Sequence, residues 1–233
     1  MERLDKCLAG TGQWSRKEAK ALVKAGRVKI DGAVPGGPET KVPEGAVVTV
    51  DGHPISCDKY LYLMLHKPAG LISATEDASQ PTVLSLLPKP WQRIGLFPVG
   101  RLDKDTEGLL LLTNDGALAH ELLAPGRHVD KVYYTEVDGI LDEADEEAFA
   151  QGIILKDGTA CLSAKLERQD DPSQALVTLR EGKYHQVKRM LASRGKPVRY
   201  LKRLSMGPLT LDPDLPAGRW RMLTEAEKAL FGR

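Results

Sequence analysis

Nine residues, Gly100-Arg101-Leu102-Asp103-Lys104-Asp105-Thr106-Glu107-Gly108, make a charged turn with a glycine at each end. Leu109-Leu110-Leu111-Leu112 follows it directly, and Ile94-Gly95-Leu96-Phe97-Pro98-Val99 precedes it. Four consecutive leucines have no polar face to offer to water, so a fold must enclose them. The run fits a strand buried on both faces; by periodicity alone it fits a core helix segment as well. The charged turn is thereby pinned to a stiff support, which is what a reactive group needs. An aspartate in a turn ordinarily accepts backbone hydrogen bonds and does nothing else. Whether Asp103 or Asp105 does more depends on the rest of the chain.

The 233 residues allow one or two domains, and a hydrophobic fraction of 42% is ordinary for a protein with a core. The net charge of +1 says nothing about partners, but its distribution does. Residues 1–30 hold eight basic residues against three acidic ones, a local net of +5. Leu4, Cys7 and Leu8 recur at helical spacing, and Ser15 with Glu18 forms a capping box for a second helix ending at Gly26. Arg16, Lys17, Lys20 and Lys24 lie off that helix's apolar stripe, as a solvated face or a phosphate-binding one. Val28 and Ile30, then Val47, Val48 and Val50, read as short strands. His53 to Lys59 reads as a linker.

Arg3-Leu4-Asp5-Lys6, Ser15-Arg16-Lys17-Glu18-Ala19 and Gly26-Arg27-Val28-Lys29-Ile30-Asp31-Gly32 together resemble an S4-type RNA-binding domain. The resemblance implies two packed helices and a small sheet presenting a basic face to structured RNA. Its expected RNA-binding residues are Arg3, Lys6, Ser15, Arg16, Lys17, Lys20, Arg27 and Lys29.

Further along, Tyr60 to His66 is a strand candidate stopped by Lys67-Pro68-Ala69-Gly70, and Leu71-Ile72-Ser73 resumes as a strand. Pro81, Pro88 and Pro90 mark an irregular connection. Thr113-Asn114-Asp115-Gly116 starts a helix with Leu118, Leu122 and Leu123 on its apolar face, ended by Pro125-Gly126. Lys131 to Val137 reads as a strand, Asp142 to Gln151 as an acidic helix with a solvated face closed by Gly152, and Asp157-Gly158 as a hairpin turn. Ala175 to Leu179 is a strand, and Val187, Met190 and Leu191 fall at helical spacing before Gly195. From Lys183 to Arg203 there are eight basic residues and no acidic one. Leu209, Leu211, Trp220 and Met222 suggest closing strands, and Thr224 to Glu227 a capping box.

Several chemistries lack their signatures. No GxxxxGK[ST] or GxGxxG loop supports a nucleotide cofactor, no GxSxG supports a serine hydrolase, and His53, His66, His120, His128 and His185 show no metal-binding spacing. Cys7, Cys57 and Cys161 are far apart without redox spacing, which fits a reducing cytoplasm. No apolar run approaches the length of a membrane span, and the N-terminus does not begin like a secretory signal.

Four motifs then occur in order. Gly100 to Asp103 with Thr106 to Gly116 resembles the central motif of RNA pseudouridine synthases. Lys67-Pro68-Ala69-Gly70 resembles their first motif, Lys131-Val132-Tyr133 their tyrosine motif, and Glu181 to Met190 their last. With the N-terminal module, order and spacing resemble the RsuA-type ribosomal RNA enzymes over nearly the whole chain.

The resemblance implies an α+β protein, with an S4-like domain and linker in residues 1–58. Residues 59–233 would be a catalytic domain on a mostly antiparallel mixed sheet with flanking helices. It implies that Asp103 attacks the uridine, at uracil C6 or ribose C1′; a carboxylate, with a reference pKa of about 3.9, is ionised at neutral pH. Lys188 takes the position of the basic partner, often Arg in relatives, where Lys offers a point charge rather than a fork. Tyr133 packs on the base. Arg101 can fill the space of the flipped nucleotide, and Leu102 completes the site beside Asp103. Lys183 and Arg189 join the RNA-binding set.

The expected activity is isomerisation of a uridine in 16S small-subunit rRNA, without cofactor or metal, by a cytoplasmic monomer that meets rRNA or a pre-ribosomal particle. The alternatives are 23S rRNA or tRNA as substrate, or a non-catalytic RNA-binding assembly protein.

Overall fold

The computed structural model describes every residue except Glu44, Ser56, Lys59, Pro90, Pro125, Arg127 and His128. The readings that use Pro90, Pro125 and His128, and the domain boundary at Lys59, lie outside the described residues. Two compact units emerge, Met1–Leu61 with Leu84–Phe97, and Tyr62–Val83 with Pro98–Arg233.

In the first unit, β1 (Glu2–Arg3) leads into α1 (Leu4–Gly10), and α2 (Arg16–Lys24) packs beside it. The capping box forms as expected: the Ser15 hydroxyl accepts from Glu18 N–H and the Glu18 carboxylate from Ser15 N–H. Next come β2 (Val28–Ile30), β3 (Lys41–Val42), which pairs with β1, then β4 (Val48–Val50) and β5 (His53–Ile55). Strands β2, β4 and β5 form an antiparallel sheet in that order. The core joins Leu4, Leu8, Ala19, Val28 and Val48.

Three expectations change here. Residues 53–55 are a strand rather than linker, because Asp51 and Gly52, both at positive φ, turn the chain back onto β4. Val47 lies outside β4 and is exposed; its N–H is taken by the Asp31 carboxylate. Cys7 and Cys57, 50 residues apart, meet with Cα atoms 5.1 Å apart and are joined as a disulfide. Spacing along the chain hid that pairing, and the cysteine argument for a reducing compartment does not carry.

The second unit is built on one mixed sheet. Its elements are β6 (Tyr62–Lys67), then β7 (Phe97–Pro98) where the chain passes between units, β8 (Glu107–Thr113), α3 (Gly116–Leu123) and β9 (Lys131–Val137). These precede α4 (Glu143–Gln151), β10 (Lys165–Arg168), β11 (Gln174–Leu179), α5 (Gln186–Ser193), β12 (Val198–Met206), β13 (Leu209–Thr210), β14 (Trp220–Met222) and α6 (Glu225–Ala229). The strands run β10-β11-β9-β12-β8-β6-β14; only the β12–β8 step on this path is parallel. Leu109 to Leu112 belong to central β8 with no exposed surface, which decides for a strand over a helix. Burial of each contributes about 1.5–3 kcal/mol, so the site rests on the stiffest part of the sheet. Phe149 of α4 and Val187, Met190 and Leu191 of α5 pack against Val137, Val177 and Leu201 of the sheet.

Other expectations also change. Leu71-Ile72-Ser73 forms only a bridge from Ile72 to Thr82, and the Ser73 hydroxyl is committed to Leu102. Flanking Asp157-Gly158 there is a turn with one bridge, Ile154 to Ala160, rather than paired strands. Leu123 is exposed, because Leu118 and Leu122 already fill the inner face of α3. In α4, Asp145 is buried between Arg194 (2.9 Å) and Lys196 (3.0 Å), not part of a solvated face.

Candidate active site

The turn carrying Asp103 is held from below by a buried cation. Lys67, last residue of β6, has no exposed surface. Its ammonium donates to the carbonyl oxygens of Pro68 (3.1 Å), Asp103 (3.0 Å), Lys104 (3.2 Å) and Thr106 (2.8 Å). Burial pushes Lys67 down to about 8, against the opposing pull of Asp105, Asp103 and Glu107. From the side, the Ser73 hydroxyl donates to Leu102 C=O and accepts from Leu102 N–H, both at 3.0 Å. Gly70 N–H donates to Lys104 C=O and Thr106 N–H to Asp103 C=O. The backbone of Asp103 is therefore fixed while its side chain, 26% exposed, stays reachable.

Gly108 closes the turn between two buried cations. In the sheet it stands opposite Lys67 of β6 on one side and Arg203 of β12 on the other. Its φ is +106°, and a Cβ there would come within 2.6 Å of Arg203 N and closer still to the Arg203 carbonyl oxygen. The Arg203 guanidinium donates to Leu109 C=O at 2.8 Å. Only glycine permits this approach of backbone to backbone.

The start of α5 brings two further groups to the carboxylate. Lys188 Nζ is 3.2 Å from Asp103 Oδ2 and 2.5 Å from Asp105 Oδ1. Its hydrogen bond holds the Asp105 carboxyl below the usual range. One ammonium thus serves two carboxylates, an arrangement suited to a point charge rather than a planar fork. His185 Nε2 lies 3.5 Å from Asp103 Oδ1. Tyr133 on β9 lines a concavity with Arg101, Leu102, Asp103 and His185. Leu102 is buried and Arg101 exposed. A reachable carboxylate, an adjacent cation and an aromatic wall can receive a planar heterocycle and attack it. Among the described residues, no group of three or more His, Cys, Asp and Glu could hold a metal ion.

A family model for RNA pseudouridylate synthases matches residues 61–193. An uncharacterized RNA pseudouridine synthase of Bacillus subtilis (strain 168) is 48% identical over 233 residues, covering 98% of each chain. This chain belongs to the RNA pseudouridine synthase family. A second model, the S4 domain, matches residues 2–48. Ribosomal small subunit pseudouridine synthase A of Pseudomonas aeruginosa is 42% identical over 227 residues, 97% of this chain and 98% of that one. A crystal structure of a pseudouridylate synthase, 32% identical, superposes with a TM-score of 0.70 over 99% of this chain and all of the other. The reaction is isomerisation of uridine in RNA, and no helix among the described residues is long and apolar enough to cross a membrane.

The expected RNA-binding residues of this pseudouridine synthase differ in what already holds them. Arg3 (3.0 Å), Arg16 (3.4 Å) and Lys20 (4.0 Å) converge on Asp5, whose side chain is fully buried. Burial alone would raise the Asp5 pKa; the Arg3 and Arg16 guanidiniums outweigh it and hold it low. Three cations around one carboxylate leave positive charge in excess. Lys6 pairs with Glu2 at 2.7 Å, Arg27 pairs with Asp51, and Lys17 and Lys29 are exposed. Ser15 spends its hydroxyl on the helix cap. In the other unit, Lys183 pairs with Glu181 at 2.7 Å and Arg189 with Asp157 at 2.5 Å.

Sequence reasoning gave Asp105, His185 and Lys67 no role at the nucleophile. Lys67 and His185 stood within the first and last motifs, and Asp105 within the central turn, but nothing in the string showed that they meet Asp103.

Proposed function

We propose that this enzyme converts a uridine of small-subunit ribosomal RNA to pseudouridine, with Asp103 as the attacking carboxylate. It works as a cytoplasmic monomer without a nucleotide cofactor, on rRNA or a pre-ribosomal particle. Residues 1–58 grip structured RNA, and residues 59–233 carry out the reaction. The observation that carries the reading is the Asp103–Lys188 pair at 3.2 Å on a cleft walled by Tyr133.

The chemistry follows from that cleft. A uracil stacked within folded RNA cannot be detached and turned in place, so the nucleotide must leave the stack, at about a few kcal/mol. Tyr133 receives the base, and Arg101 occupies the space it leaves. Lys188 holds the Asp103 carboxylate aimed at the nucleoside through a charge-assisted contact. The C–N glycosidic bond breaks and a C–C bond to the same ring replaces it. Atoms balance within the substrate, so no redox partner or group donor is consumed. Arg3, Lys6, Ser15, Arg16, Lys17, Lys20, Arg27, Lys29, Lys183 and Arg189 supply RNA contacts. The excess positive charge of the Arg3–Arg16–Lys20 cluster around Asp5 supports phosphate binding. The small-subunit assignment is supported by the 42% identity to the Pseudomonas enzyme across nearly its whole length.

Mapping pseudouridines in a strain lacking this chain tests the substrate. The account expects one small-subunit rRNA position to revert to uridine and to be restored by complementation. Loss confined to large-subunit rRNA or tRNA would move the enzyme to that substrate.

A further inference from the structure

Tyr184 is a large aromatic residue beside the cleft that the mechanism above does not use. It is 72% exposed. Single exposed aromatics are common and need no explanation, but the inner face of this one is occupied. Its ring stacks on the His185 imidazole, centroids 3.8 Å apart and planes 18° from parallel. His185 in turn lines the cleft and reaches to 3.5 Å from Asp103 Oδ1. The two rings form a step leading from the nucleophile to open solvent.

Backbone geometry holds this step in place. His185 adopts φ 48° and ψ 36°, the left-handed region, where His is found more often than most non-glycine residues. It is kept there as the residue that opens α5. Its carbonyl accepts from Arg189 N–H at 2.9 Å, and Gln186 N–H donates to Lys183 C=O at 3.2 Å. The Arg189 guanidinium reaches the Tyr184 carbonyl at 3.4 Å.

We infer that Tyr184 is the stacking platform for a base of the substrate RNA next to the uridine inserted at Asp103. The inference rests on the reading that an RNA uridine enters the cleft. Extruding one nucleotide deprives its neighbours of a stacking partner. A ring whose far face is open, already stacked on the site's own histidine, replaces that partner at the ordinary aromatic spacing. A base docked there also covers the open face of the Tyr184 ring that backs His185.

Steady-state kinetics on small-subunit rRNA test this with the full-length chain. Tyr184→Ala raises KM roughly tenfold, about 1.4 kcal/mol, with a smaller effect on kcat. Tyr184→Phe keeps the ring and recovers most of the loss. A second measurement uses the native tyrosine: a single-stranded oligoribonucleotide with 2-aminopurine beside a uridine, bound to Asp103→Asn, loses fluorescence by stacking. Adding Tyr184→Ala restores it. A KM within twofold of wild type for Tyr184→Ala, or a probe whose fluorescence ignores Tyr184, overturns the platform. A wild-type chain that forms no pseudouridine overturns the underlying reading instead.

Discussion

Asp103 gains its setting from residues far away in sequence. Lys67 lies 36 residues before it and Lys188 83 residues after Asp105, yet both contact this one turn. The motif was legible as a string, and the tyrosine and lysine motifs could be aligned with it. Which other side chains would meet the carboxylate was not legible, because that depends on strand register and on the first turn of α5. The string alone therefore left Asp105 and His185 without a role at the carboxylate. Lys67 offers a residue-scale prediction. Lys67→Met leaves four carbonyl oxygens without their shared donor, and it should lower both the melting temperature and kcat. The cost in stability is about 3 kcal/mol or more. Its pH behaviour has a definite sign. A lysine lowered from 10.5 to about 8 binds fewer protons folded than unfolded, so its contribution to stability rises between those values. Catalysis should do the opposite, declining as Lys67 loses a proton near pH 8 and its grip on the turn. A pH–rate profile compared with pH-dependent melting checks this divergence; activity and stability falling together would contradict it.

At the scale of elements, the parallel contact between β8 and β12 positions the site. It is narrow, with Gly108 opposite Arg203 and Glu107 opposite Lys202. Gly108→Ala should force these strands apart and destabilise the protein by about 3 kcal/mol or more, measurable as a lower urea midpoint. The leucine run, the strand at Lys131–Val137 and the capping boxes at Ser15 and Thr224 were readable because each rests on local pattern. Strand β5 was not, since Pro54 and polar neighbours resemble a linker until β4 is there to pair with. A second element-scale prediction concerns α6. Arg221 on β14 donates two hydrogen bonds of 2.8 Å to Glu227, pushing that carboxyl from 4.5 to about 2. This stability is present above pH 4.5 and lost as pH falls toward 2. Glu227→Gln should cost about 1–2 kcal/mol at neutral pH. The difference from wild type should vanish on acid titration of the unfolding midpoint.

For the whole molecule, the chain visits its first compact unit twice, since Leu84–Phe97 belongs with residues 1–61. The space over Gly12 is filled by the Trp91 ring, so the late segment completes the early one. Composition could not reveal that return, because a proline-rich connection carries no record of what it packs against. Removing residues 1–58 should therefore lower the melting temperature of the remainder as well as its RNA affinity. Arg16→Ala with Lys20→Ala should weaken RNA binding, reducing the slope of log binding constant against log salt by about 1–2, and should also cost stability because both pair with the buried Asp5. The most direct test of the account is pseudouridine formation in small-subunit rRNA by the full chain and by Asp103→Asn. The substitution preserves size and the backbone contacts of the turn. The account predicts RNA binding within about twofold of wild type and no detectable pseudouridine; isomerisation at the wild-type rate would contradict it.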